Sequence, residues 1–225
     1  MKKLQYLLLP SILLVVFIIF TILVKTVDVQ YINGIGFLGF YSLNTQVNNF
    51  VVSLDNNIFN IISNLLLYLA FASIAPFAVM GLVQLIVRRG FKKVDPVIYL
   101  LLVGYVAIVA FYFIFELVKI NYSPLSTVED LKPSYPSSHV FIFIAMLGIN
   151  LFGLFHYVKM PKTIKIVALC GVIALFIAMI VTRLLSGHHY LTDIFGGVLL
   201  SLVILTSFDA LTRALLTKKE EVSEE

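Results

Sequence analysis

Two short polar segments carry most of the residues able to do chemistry. One runs Arg183-Leu-Leu-Ser-Gly-His188-His189-Tyr-Leu-Thr-Asp193. His189 and Asp193 share one face if a helix begins near His189. A carboxylate so placed can accept the ring N–H and fix the tautomer, leaving the other nitrogen free as a nucleophile. Arg183 adds a planar fork that matches phosphate oxygens. Taken alone, the pair also reads as an interfacial histidine and a helix-capping aspartate. The other segment, Lys132-Pro-Ser-Tyr-Pro136-Ser137-Ser138-His139, stands directly before an apolar run. Ser137 and Ser138 suit a helix N-cap, and the free N–H groups of a helix start bind phosphate. His139 would sit at the mouth of that helix. With an ordinary pKa of about 6.5 it is suited to protonating a leaving oxygen. A capped helix with an interfacial histidine is the plainer reading.

The elements that must hold these segments are membrane spans. Of the 225 residues 60% are hydrophobic and only 12% charged, with mean hydropathy +1.03. Soluble domains carry about 25% charged residues. A span needs about 20 predominantly apolar residues. Six segments qualify: Leu7–Val24, Phe59–Val87, Pro96–Val118, Val140–Val158, Ile164–Leu185 and Ile194–Leu216. The second contains Pro76, which predicts a tilt, a kink or an extension beyond the bilayer. The first exceeds the roughly 7–15 residues of a signal-peptide core and no small-residue cleavage site follows, so it reads as a retained span. The expected fold is all-α and polytopic, with six transmembrane helices in one membrane-embedded domain over residues 1–225 and a flexible cytoplasmic tail at 218–225. The stretch from Val27 to Ile58 reads as interfacial packing.

Charge sets the orientation. All but Lys25, Lys119, Lys132 and Arg183 of the 16 lysines and arginines fall on one side if the N-terminus is inside. Both termini are then cytoplasmic, and both polar segments lie outside. The net charge of +4 and pI of about 9.1 therefore speak for topology rather than nucleic-acid binding. Asp209 and Arg213 lie deep in the last span, one helical turn apart, and read as a local ion pair. The single Cys170 excludes an intrachain disulfide.

Together the two segments resemble the type 2 phosphatidic acid phosphatase family. That family carries Pro-Ser-Gly-His and, downstream, Ser-Arg-x5-His-x3-Asp. Pro136-Ser137-Ser138-His139 matches the first, with Ser138 in the glycine position. Thr182-Arg183, His189 and Asp193 match the second, with Thr182 in the serine position. The spacing selects His189 over His188. The family also has an upstream Lys-x6-Arg-Pro that holds phosphate. Its counterpart is Glu116-x6-Ser123-Pro124, which keeps the proline and neither cation. Lys119 and Lys132 are the expected substitutes, Lys132 above all.

The resemblance implies a lipid phosphatase of the plasma membrane with its site on the extracytoplasmic side. His189 attacks phosphorus, Asp193 orients the ring, and His139 protonates the leaving group and then helps activate water. Arg183, the region of Ser137 and Ser138, and Lys119 or Lys132 hold the phosphate. No metal or other cofactor is implied. Undecaprenyl pyrophosphate, phosphatidylglycerol phosphate, phosphatidic acid and diacylglycerol pyrophosphate all fit as substrates. A lipid phosphotransferase and a non-catalytic lipid-phosphate binder are the alternatives. A metalloenzyme using His139, His188, His189 and Asp193 is disfavoured, because adjacent histidines rarely converge on one ion. A transporter would show more mid-span charge.

Overall fold

In the computed structural model, residues 2–32, 34–54 and 56–223 are described, with side chains for 5–32, 34–54 and 57–215. Eight α-helices form among the described residues: α1 Lys2–Thr26, α2 Tyr41–Val52, α3 Asn56–Ala72, α4 Ala75–Arg88, α5 Pro96–Leu117, α6 Ser138–Tyr157, α7 Lys162–Leu185 and α8 Leu191–Ser223. Six spans result, with α3 and α4 together making the second. All six segments expected from hydropathy are present, and the chain is a multi-pass membrane protein. The expected tail from 218 continues α8 as far as Ser223, and residues 224–225 lie outside the described residues.

The second span breaks at Pro76. Proline lacks the N–H that would bond back to Ala72, and its ring crowds the preceding turn. The chain turns at Ser73 and Ile74 and restarts at Ala75 with proline in the first turn of α4. The break is sealed from the neighbouring span, since Asn150 Nδ2 of α6 donates to Ser73 Oγ at 2.6 Å. Tyr105 of α5 in turn donates its hydroxyl to Asn150.

The inner helices are α6 and α8, about half buried, whereas only 6% of α7 and 17% of α1 are enclosed by protein. Val140, Phe143, Ala145 and Ile149 of α6 are wholly buried. Side chains such as Leu65, Val106, Val167 and Ile177 are exposed in the protein alone. In a bilayer they face lipid, which is as apolar as they are.

One end of the bundle is capped by residues 27–54. A short antiparallel hairpin, β1 Gln30–Ile32 and β2 Gly36–Leu38, leads into α2. Asn44 of α2 is completely buried, and it ties the cap to α8: its Nδ2 donates to Thr192 Oγ1 at 2.9 Å and its Oδ1 accepts from Thr192 N at 3.2 Å. The expectation of interfacial packing over this stretch therefore resolves into a lid on the start of α8.

The α6–α8 approach depends on glycine. A Cβ at Gly196 would come within 2.4 Å of the Tyr135 ring, and one at Gly197 within 2.9 Å of the Ser137 carbonyl. Tyr135 is itself 1% exposed and wedged against Phe17, Phe20 and Phe115, so the ring has nowhere to go. Gly196→Ala is expected to destabilise the fold by about 1–3 kcal/mol through overpacking. A thermal melt in detergent reads this directly; a transition as high as the parent's would show that the contact can relax.

Candidate active site

Both polar segments meet at the capped end of the bundle. The loop from 118 to 137 doubles back on itself, with Ser123 N donating to Lys132 O at 2.9 Å and Ser134 N to Asn121 O at 3.0 Å. The α7–α8 turn is tight because Gly187 takes φ 71°, a left-handed conformation that suits glycine. Ser123 Oγ then donates to His188 O at 2.8 Å, binding loop to turn. The Ser137 N–H donates to the Asp193 carbonyl at 2.9 Å, fastening the start of α6 to the first turn of α8.

His189 is 7% exposed, and both ring nitrogens are engaged. Nδ1 lies 3.0 Å from the Ser134 carbonyl, which can only accept, so Nδ1 carries the proton. Nε2 lies 3.2 Å from an Arg183 Nη, which can only donate, so Nε2 presents its lone pair. The expected bond from the ring to Asp193 is not made: Asp193 Oδ2 stands 3.9 Å from Nδ1. His189 precedes α8 rather than opening it, so the two residues do not stack as a helical i,i+4 pair. Asp193, wholly buried, accepts instead from Asn121 Nδ2 and from the Tyr190 N–H, each at 3.0 Å. Its carboxylate organises the loop and turn around the ring.

Arg183 is 6% exposed and faces no carboxylate among the described residues. One Nη reaches His189, the other donates to Asn60 Oδ1 of α3 at 3.3 Å, and Nε has no acceptor. His139, in the first turn of α6, meets Asn64 of α3 at 3.0 Å through Nε2, and its Nδ1 is buried without a partner. The Ser137 hydroxyl and Asn121 Oδ1 are likewise buried and unpaired. Unpaired buried polar atoms are uncommon, and here four belong to one site.

The remaining sequence candidates are less central. Ser138 opens α6 beside His139, while Ser137 makes no side-chain cap and has spent its N–H on Asp193. Lys132 is largely exposed and paired with Asp130 at 2.7 Å. Lys119 is exposed just beyond α5. Neither lysine is bonded to His139, Arg183 or His189. Glu116 lines a narrow cleft with Ser134, Ser138 and His189, an acid where the resemblance puts lysine. Asn60, Asn64 and Asn121 were missed. An amide side chain inside an apolar span was the available signal for the first two. Among the described residues no group of three or more His, Cys, Asp or Glu is arranged for a metal ion. Asp209 pairs with Arg213 at 2.8 Å, as the spacing predicts.

Burial, together with the Arg183 charge and the neighbouring His139, holds the His189 pKa well below its usual 6.5. His189 is therefore neutral, the state a nucleophile requires. Unfolding restores the ordinary value, so between the two pKa values the unfolded chain binds more protons than the folded one. Stability is then full above pH 6.5 and declines as pH falls below it. The melting temperature should drop from pH 7 to pH 5, and His189→Gln should flatten that drop. An equally steep drop in the variant would place the acid sensitivity elsewhere.

Residues 113–215 match the model of the PAP2 superfamily. No curated protein matches the sequence. The fold is similar to that of a crystal structure described as the first transmembrane PAP2 type phosphatidylglycerolphosphate phosphatase from Bacillus subtilis. The TM-score is 0.65 at 16% identity, over 92% of this chain and 96% of that one.

Proposed function

From the match of residues 113–215 to the PAP2 superfamily, we propose that the chain is a member of that superfamily and an integral membrane phosphatase acting on a lipid phosphate or pyrophosphate. The whole chain works as one membrane-embedded domain, in the plasma membrane, with the site on the extracytoplasmic side that the lysine and arginine distribution favours. The observation that carries the reading is the pairing of Arg183 with His189: a buried cation with no carboxylate beside it, its fork spanning a nucleophile's lone pair and an open Nε. A buried charge is costly without a counter-charge, and a phosphate would supply one.

In the first step His189 Nε2 attacks phosphorus in line with the leaving oxygen. The P–N bond forms, the P–O bond breaks, and His139 gives a proton to the departing alcohol or lipid phosphate. Arg183 and the N–H groups of the α6 first turn hold the equatorial oxygens as charge develops on them. In the second step water attacks phosphorus, His139 takes its proton, the P–N bond breaks and inorganic phosphate leaves. No metal takes part in either step.

The lipid character rests on a groove of about 290 Å³ that ends at His139 and Ser138. It lies between α3 and α5, with Phe71, Val109 and Met146 along its walls. An apolar tail in this groove brings its headgroup phosphate to the catalytic residues.

Purified protein should release phosphate from at least one of undecaprenyl pyrophosphate, phosphatidylglycerol phosphate, phosphatidic acid and diacylglycerol pyrophosphate, with a chelator present. It should leave glycerol 3-phosphate almost untouched. Release from none of the lipids would refute the reading. Transfer to a lipid acceptor without free phosphate would make the protein a phosphotransferase, and activity restored only by Zn²⁺ would make it a metalloenzyme.

A further inference from the structure

We propose that Asn64 is a positioning residue that fixes the tautomer of His139, making Nδ1 the atom that gives a proton to the leaving group and takes one from water. This rests on the proposed phosphatase reaction and extends it to α3, which the sequence motifs do not reach.

The geometry starts from a pair of amides one turn apart in an apolar helix. Asn60 and Asn64 lie in α3, where polar side chains need a reason to be. Each spends its oxygen on a functional group of another helix. Asn60 Oδ1 accepts from Arg183 of α7 at 3.3 Å, and Asn64 Oδ1 meets His139 Nε2 of α6 at 3.0 Å. An amide oxygen only accepts, so His139 Nε2 carries the hydrogen and the lone pair falls on Nδ1. Nδ1 is the His139 nitrogen that is buried with no protein partner. His139 also stands at the end of the apolar groove, where the leaving oxygen of a bound lipid would be. The arrangement mirrors that of His189, whose reactive nitrogen is chosen by a neutral oxygen at the far side of the ring.

The proton balance follows. His139 enters the first step with hydrogens on both nitrogens. It loses the Nδ1 proton to the leaving oxygen and regains one there from the attacking water. The Nε2 hydrogen stays on the ring throughout, donated to Asn64 Oδ1. A neutral amide steadies the ring in both charge states without locking the proton in place, as a carboxylate would tend to do.

The test uses full-length protein carrying ¹⁵N-histidine, with the His139 signals assigned from a His139→Gln sample. In buffer alkaline enough to keep the free protein's His139 ring neutral, the nitrogen shifts should show Nε2 protonated and Nδ1 free in the parent. Asn64→Leu should give a mixture of tautomers, and Asn64→Asp, isosteric and still an acceptor, should keep the parental form. On whichever lipid phosphate the parent cleaves, Asn64→Leu should lower kcat by up to about 10²-fold with KM little changed. A parent whose neutral His139 ring carries its hydrogen on Nδ1, or an Asn64→Leu variant with parental tautomer and kcat, would overturn the assignment. Failure of the parent to cleave any lipid phosphate would instead refute the phosphatase reading, and the nitrogen shifts would still judge Asn64.

Discussion

His189→Ala is expected to abolish turnover, with a loss on the order of 10⁴-fold or more in kcat. No neighbouring group can stand in. His189 alone combines a buried ring, an Nδ1–H fixed on the Ser134 carbonyl and an Nε2 lone pair facing Arg183. His188 is half-buried and points its Nδ1 at the Ser186 carbonyl, in its own turn. His188→Ala should leave turnover close to the parent's. Steady-state kinetics on the two alanine variants separates them, and an essential His188 beside a dispensable His189 would reverse the assignment.

Arg183→Ala comes next in size, with an expected loss of about 10²–10³-fold in kcat. Among the described residues the guanidinium is the one cation bonded directly to His189, the proposed nucleophile. It also spans two elements, since its Nη groups reach Asn60 on α3 and His189 before α8. Arg183→Lys should recover only part of the loss, because a single ammonium on a flexible stem cannot hold both partners and a phosphate oxygen at once. An Arg183→Lys variant with parental kcat would mean that charge alone matters and the fork does not. Lys119→Ala and Lys132→Ala should change little by comparison. Lys132 is already occupied by Asp130 at an exposed position, where such a pair contributes little.

The spans were legible because a bilayer imposes length and apolarity on every one of them. Pro76 announced its break for an equally local reason. The two motifs could also be placed at one end of the bundle, since each adjoins a helix terminus that hydropathy already located. The partners of the candidate site residues were a different matter. The Ser134 carbonyl orients His189, and a backbone oxygen has no signature in side-chain sequence. Asn60 and Asn64 lie more than 70 residues from the histidine and arginine they contact. Only the packing of α3 against α6 and α7 brings them together. Asn121 reaches Asp193 because the loop doubles back, a register that no periodicity encodes. The pairing of Lys132 was the readable exception, since Asp130 stands two residues before it.

Capture of the phosphorylated enzyme tests the central claim most directly. The protein is mixed with a ³²P-labelled lipid phosphate that it cleaves, quenched in alkali within a turnover, digested and mapped. Label should appear on His189, survive alkali, be lost in acid, and be missing from His189→Ala. Label on a serine or on another histidine would contradict the account, as would turnover that persists in His189→Ala.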